Sequence, residues 1–249
     1  MVLSGTLERG KREKMIYTFD SRVRYSELDS QGRMTLPAMM NRLQDCSTFQ
    51  SEDIGLGLDV LKKKKRAWIL SYWQAVITCY PKLGEKVTTG TMATKFKGIY
   101  GERNFFIEDA QRKRVLQANS IWVFMDLEKR RPVRPGEEDI APYGTEQPLD
   151  MAYEGRKIRV PASTQEYPAF SVKRSHIDTN GHVNNCQYIQ MAADILPESA
   201  PVRQLRVDYK KSAVLGDVIV PRIAKETDRT VIELCAEDGA VYAVLEVKK

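Results

Sequence analysis

The octet Asp178-Thr179-Asn180-Gly181-His182-Val183-Asn184-Asn185 puts an acid, an imidazole, several amides and a glycine directly ahead of a helix-period pattern. A turn of that composition aims polar side chains, together with the free N–H groups of a helix start, at one point. Such geometry suits addition of water to a carbonyl, for example that of a thioester. Asp178 would accept a proton from water or align it, assistance worth roughly 10²–10⁴-fold. N–H groups near Asn184 and Asn185 would face the developing oxyanion, each such donor being worth about 10²–10³-fold. His182 would donate to the carbonyl or bind water, and Asn180 would orient water or the imidazole. Gly181 permits a tight turn and close backbone approach. An aspartate at a strand-to-helix turn also commonly serves as an Asx-turn or cap, so Asp178 carries both readings.

The chain contains a second, degenerate copy of this segment. With Asp29 placed over Asp178, Val23 meets Val172, Arg24 meets Lys173, Ser26 meets Ser175, Leu28 meets Ile177, Gly32 meets Gly181 and Asp45 meets Asp194. Gln31, Arg33 and Thr35-Leu36 stand where the later copy has Asn180, His182 and Asn184-Asn185. The acid and the glycine therefore belong to the scaffold of both halves, whereas the imidazole and the amides belong to one. This contrast favours a functional role for His182 and Asn180. Cys186 follows His182 by one helical turn and could form a Cys–His pair, but it lies on the apolar stripe of the next helix and reads as packing. His176 reads as peripheral, on an extended strand that would point it the same way as Asp178.

Two similar sets of elements must position the two turns. In the first, Leu36, Met39, Met40, Leu43 and Cys46 recur at helical spacing, with Thr35 as a cap, Pro37 tolerated in the opening turn and Gly55 and Gly57 at the end. In the second, Cys186, Ile189, Ala193 and Leu196 follow Asn184 as cap, and Pro197 stops the helix. Strand-like runs follow each helix. They are Trp68–Tyr80, Val87–Lys97, Arg103–Glu108 and Val115–Asp126, then Val202–Lys211, Val218–Glu226, Thr230–Cys235 and Val241–Val247. A long helix followed by four antiparallel strands, twice over, argues an α+β class with a sheet wrapped on each helix. The proline- and charge-rich stretch Leu127–Pro168 reads as a connector across the surface. The expected organisation is an N-terminal domain over 1–130, a connector over 131–165 and a C-terminal domain over 166–249.

Bulk properties exclude several classes. No run approaches the roughly 18 apolar residues of a membrane span. Met1–Met15 lacks the apolar core of a secretory signal, so a cytoplasmic protein is expected. Cys46, Cys79, Cys186 and Cys235 form no CxxC pair, and with only two histidines no metal site and no cofactor is expected. The net charge of +6 favours an acidic partner. The run Lys62-Lys63-Lys64-Lys65-Arg66 is the densest basic cluster, either a solvated loop or a docking patch. No helix-turn-helix unit is evident, and no nucleic-acid partner is expected.

The chain resembles the acyl-acyl carrier protein thioesterases in their bacterial form. The resemblance is carried by Asp178-x-Asn180-x-His182-Val183-Asn184-Asn185-x-x-Tyr188, with Arg24-Tyr25 and Asp29, the turn Tyr80-Pro81-x-x-Gly84-Glu85, and Ser120-Ile121-Trp122-Val123-x-x-Asp126 leading to Arg130-Arg131-Pro132. It implies two tandem hot-dog domains, with the acyl chain running toward the first and catalysis in the second, on Asp178, Asn180 and His182. Further substrate contacts would fall on Asn184, Asn185, Ser212, Met39 and Trp68, with Met34 and Met40 also candidates for the chain's lining. The partner would be acyl carrier protein bearing a phosphopantetheine-linked fatty acyl chain, and the chain would act as a monomer or homodimer. In one respect the sequence departs from the family. In Tyr209-Lys210-Lys211-Ser212-Ala213, Ser212 stands for an acid and Ala213 for a cysteine. Direct attack by water, without an acyl-enzyme, is therefore expected. Acyl-CoA hydrolysis, a hot-dog hydratase and a non-catalytic acyl-thioester-binding protein are the competing readings.

Overall fold

The computed structural model describes residues 15–196 and 201–249. In the first half, β1 (Tyr17–Arg22) precedes the long helix α1 (Leu36–Asp53), a short α2 (Leu58–Lys63) and four long strands. These are β2 (Arg66–Ile77), β3 (Lys86–Lys97), β4 (Tyr100–Asp109) and β5 (Arg114–Asp126). The connector carries β6 (Arg131–Pro132) and the single turn α3 (Glu137–Ile140). The second half contains short β7 (Gln165–Glu166) and β8 (Phe170–Ser171), then α4 (Asn185–Ile195), β9 (Gln204–Tyr209), β10 (Val218–Lys225), β11 (Arg229–Cys235) and β12 (Val241–Lys248). The eight expected strands are all present, with ends shifted by a few residues. The added β1 is an edge strand whose residues alternate between half-buried and exposed, so it lacks the apolar signal of the others.

Both long helices begin as their sequences dictate. Thr35 Oγ1 accepts the Ala38 N–H at 3.2 Å with Pro37 in the first turn, and Asn184 Oδ1 accepts the Cys186 N–H at 2.9 Å. Gly55, at φ +76°, supplies the left-handed residue after α1. The inward stripe of α4 is Cys186, Ile189 and Ala192 with Tyr188 and Met191, whereas Ala193 and Leu196 are only half-buried. Pro197, expected to stop this helix, lies outside the described residues, as do Met1–Lys14.

Among the described residues, the strands form one antiparallel sheet with main order β1-β3-β4-β5-β2-β9-β12-β11-β10-β7. The halves join where β2 pairs with β9, in the register Tyr72↔Asp208, Trp73↔Val207 and Ala75↔Leu205. α1 and α4 lie on the same face and touch each other. A single core runs from Met39, Met40 and Leu43 through Trp73 and Phe105 to Ile189, Leu205 and Leu245. The result is the tandem hot-dog arrangement, α+β in class, with a continuous sheet wrapped on two helices.

The connector does more than cross a surface. Gln74, buried on the sheet face opposite Trp73, donates to Ala152 O at 2.8 Å and accepts from Glu154 N at 2.9 Å. Asn104 Oδ1 accepts from Leu149 N at 3.0 Å. Leu149 packs on Met92 and Phe106, and Ile158 packs on Val231 and Val244. The connector therefore covers the outer face of the sheet by giving buried side-chain amides backbone partners. Replacing Gln74→Leu strands both connector groups, and the expected cost is about 1–3 kcal/mol. A lowered urea midpoint, with faster proteolysis near Ala152, is the outcome to look for. An unchanged midpoint would remove this anchor from the account.

Candidate active site at the second turn

The two turns share one backbone design. In the first, Asp29 Oδ1 accepts the N–H groups of Gln31 and Arg33, both at 2.9 Å, Asp29 N–H reaches Arg33 O at 2.7 Å, and Gly32 sits at φ +72°. In the second, Asp178 Oδ1 accepts from Asn180 N at 2.8 Å and His182 N at 3.3 Å, Asp178 N–H reaches His182 O at 2.8 Å, and Gly181 sits at φ +78°. One carboxylate oxygen is thus structural in both copies, as an Asx-turn requires.

The second oxygen separates them. Asp29 Oδ2 is taken by Arg33 Nε at 3.0 Å. Burial opposes ionisation of Asp29, but hydrogen bonds from Arg33 and Gln31 hold its carboxyl below the usual range. In the second copy His182 replaces that arginine, and Asp178 Oδ2 has no hydrogen-bond partner among the described residues. Asp178 is half-buried, and His182 and Asn180 of the same turn are exposed.

The helix start offers fewer free donors than its sequence suggests. Asn184 N–H is spent on His176 O at 2.9 Å, Val183 N–H on Ala213 O at 2.9 Å, and Cys186 N–H on the Asn184 side chain. The Asn184 side chain is therefore a cap. Asn185 N–H has no acceptor among the described residues and is the remaining backbone donor. Asn185 O accepts from Tyr209 Oη at 2.9 Å, which fixes this residue.

His176 lies in a 3₁₀ turn, not on an extended strand. Its Nδ1 accepts the Lys173 N–H at 3.1 Å, as Glu27 Oε2 accepts the Arg24 N–H at 2.7 Å in the first copy. Burial and the Lys173 charge lower the imidazole pKa, which suits an acceptor nitrogen. Cys186 is buried against α1, with Sγ donating to Gln44 Oε1 at 3.7 Å, and burial pushes its thiol well up. The packing reading of Cys186 stands.

Ser212 is exposed and lies beside the turn. Val183 N–H to Ala213 O repeats Met34 N–H to Pro81 O at 2.8 Å, so Ser212 takes the position that Tyr80 holds next to Arg33. In the first copy the Arg33 guanidinium lies 6.0 Å from the centre of the Tyr80 ring. Tyr188 Oη accepts the Ala213 N–H at 2.8 Å and pins the segment.

A cavity of about 670 Å³ lies in the first half, between α1, α2 and the sheet. Its wall includes Ser47, Ser51, Trp68, Phe96, Arg103, Trp122 and Tyr143, and it is completed by Thr179 and Asn180 from the second turn. Trp68 is part of the wall. Met39 is not. It is fully buried in the shared core with Met34 and Met40, because the helix residues at the cavity are the later Ser47, Thr48 and Ser51. Arg103 and Tyr143 escaped the sequence reading. The alternation Gly101, Arg103, Phe105 along β4 could have placed Arg103 on the inward face.

The basic run is divided between packing and surface. Lys64, Lys65 and Arg66 pair with Asp139, Glu128 and Asp126 at 2.8, 2.6 and 3.1 Å. Lys62, on the exposed face of α2, makes no ion pair with a described residue and lines the cavity.

A continuous sheet wrapped on two helices, with residues of the second turn in the wall of a partly open cavity, is the fold of the hot-dog thioesterases. The profile of the acyl-ACP thioesterase N-terminal domain matches residues 14–143 and that of the C-terminal domain matches residues 160–246, so the chain belongs to the acyl-ACP thioesterase family. A chloroplastic palmitoyl-acyl carrier protein thioesterase of Arabidopsis thaliana is 26% identical over 217 residues, covering 82% of this chain and 52% of the relative. A chloroplastic oleoyl-acyl carrier protein thioesterase of Coriandrum sativum is 23% identical, covering 91% and 68%. The chain spans about half the length of several curated relatives it matches. Among solved structures, an acyl-ACP thioesterase of Bacteroides thetaiotaomicron superposes with a TM-score of 0.87 at 25% identity, covering 94% of this chain and 97% of that one. The 12:0-ACP thioesterase of Umbellularia californica shares the fold at a TM-score of 0.83 and 15% identity, covering 96% and 98%.

The partnered Asp29 yields a pH prediction. Its carboxyl is depressed in the folded state, so its contribution is full above the unfolded carboxylate range and is lost as pH falls through the folded value. Asp29→Asn is expected to cost about 1 kcal/mol or more in urea unfolding at pH 7, and less as the pH approaches 3. A cost that does not shrink with acid would mean that the charge of Asp29 contributes nothing.

Proposed function

We propose that the protein hydrolyses fatty acyl thioesters of acyl carrier protein, releasing the free fatty acid, by direct attack of water at the second turn. The observation that carries this reading is the shared wall. The wall of the cavity in the first half includes Thr179 and Asn180, which follow Asp178 in the second turn. The acyl chain would lie in the first domain (1–130), and the chemistry would be done by the second (166–249).

In this reading Asp178 Oδ2 accepts a proton from water or aligns it, while Oδ1 keeps the turn rigid. Asn180 and His182 position the water and polarise the thioester carbonyl, and Asn185 N–H meets the developing oxyanion. Ser212, next to the Ala213 carbonyl that holds Val183 N–H, would offer a hydroxyl to the same water in place of the family's acid. Lys62 and the exposed Lys211 suit the phosphate of a pantetheine arm and an acidic carrier surface. Burial raises the pKa of the Cys186 thiol and keeps it protonated, which argues against an acyl-enzyme on that side chain.

Product analysis with a panel of acyl-carrier substrates tests the assignment. Asp178→Asn and His182→Ala are each expected to lose about 10²-fold or more in kcat with folding retained. His182→Arg is the sharper variant, since it supplies the arginine that occupies Asp29 Oδ2 in the first turn. It should melt at or above the wild-type temperature and lose hydrolysis. Near-wild-type rates in all three would move the chemistry elsewhere. Equal or better turnover of acyl-CoA at matched chain length would remove the carrier from the proposal.

A further inference from the structure

The inner wall of the cavity contains a cation without a counterion. Arg103 on β4 is 8% exposed and shares the inward face with Gly101 and Phe105. Its Nη1 donates to Gln50 Oε1 and, at 3.0 Å, to Thr91 Oγ1, and its guanidinium lies 5.1 Å from the centre of the Tyr143 ring. No carboxylate among the described residues forms an ion pair with it. Glu102, its neighbour, pairs with Lys95 at 3.6 Å. Nε and Nη2 make no hydrogen bond to the described residues. Burial lowers the guanidinium pKa to about 10, so it remains charged at neutral pH.

Beyond Thr91, the hydroxyls near Arg103 accept no hydrogen bond from it. Ser47 Oγ donates to Gln44 O, Ser51 Oγ donates to Ser47 O, and Tyr143 Oη lies 2.9 Å from Ser51 Oγ. These groups satisfy helix carbonyls and one another, which leaves the arginine as the group with donors to spare. A purely hydrocarbon chain in this cavity would leave a buried charge and its N–H groups facing methylenes, an arrangement that costs free energy.

We propose that the acyl chain taken by this cavity carries an acceptor oxygen remote from the thioester, as a hydroxyl, an oxo group or a terminal carboxylate, and that Arg103 is the residue that selects it. The inference rests on the proposed function only in taking the cavity as the acyl site.

The test measures binding separately from catalysis. Pantetheine amides, in which an amide replaces the thioester, are prepared with an unsubstituted chain, with hydroxyl or oxo groups at successive positions, and with a terminal carboxylate. Quenching of Trp68 and Trp122, both in the wall, reports their affinity for wild type, Arg103→Met and Arg103→Gln. At least one oxygenated probe should bind wild type roughly tenfold or more tightly than the plain chain. That preference should vanish in Arg103→Met and persist in part in Arg103→Gln, which keeps an N–H donor. The position of the preferred oxygen distinguishes a mid-chain substituent from a terminal acid. Arg103→Met should melt no lower than wild type, because it removes an unpaired buried charge. If it fails to fold, Arg103→Gln carries the comparison, and an unchanged preference there overturns the proposal.

Equal or better binding of the plain chain by wild type overturns the inference and leaves the hydrolase reading intact. An oxygen preference that depends on Arg103, in a protein that cleaves no thioester, supports the inference and removes the hydrolase reading. Failure of every amide to bind overturns the inference, and thioester cleavage then decides the hydrolase reading by itself.

Discussion

The fate of one carboxylate oxygen organises this molecule. Each half folds a strand into a helix through an aspartate whose Oδ1 gathers two backbone N–H groups, and each turn needs a left-handed glycine to close. That much is architecture, and it is the same in both halves. In the first half, Arg33 fills the other oxygen and completes an ion pair. In the second, an imidazole stands in the place of the guanidinium and the oxygen is left with no described partner. The repeat thus separates, within a single chain, an aspartate whose two oxygens are both used by the fold from one that keeps an oxygen free for the proposed chemistry.

The second constraint is that the two halves share one sheet and one core. β2 and β9 pair into one sheet, α1 packs on α4, and their side chains form a single core. The cavity belongs to the first half, yet residues 179 and 180 complete its wall. A turn held rigidly by Asp178 Oδ1, Tyr188 and the cap of α4 can therefore present polar groups to whatever occupies the neighbouring domain. Rigid support of this kind is what aligned water and a fixed oxyanion donor require.

Much of this was legible in the residues, for identifiable reasons. Helix caps, the strand runs and the repeat follow from local patterns that tertiary structure did not override. The core status of Cys186 followed from its place on an apolar stripe. What escaped depended on long-range packing. Met39 fits any apolar lining, and only the fold shows that α1 turns Ser47 and Ser51 to the cavity instead. The connector looked like a surface linker because its proline content hides the backbone groups that satisfy Gln74 and Asn104. Asn184 was read as both a cap and an oxyanion donor, but its N–H is consumed by His176 O. Arg103 is a charge at an inward-facing position of β4, and no catalytic motif includes it.

The central claim is that the chemistry sits at the second turn while the acyl chain sits in the first half. A crystal structure with a non-hydrolysable acyl-pantetheine amide tests it most directly. The account predicts the chain between α1, α2 and the sheet, the amide carbonyl oxygen within hydrogen-bond reach of Asn185 N–H, and the carbonyl carbon on the side of Asp178 Oδ2. A chain lodged in the second half, or a carbonyl placed at the Asp29 turn, would contradict it.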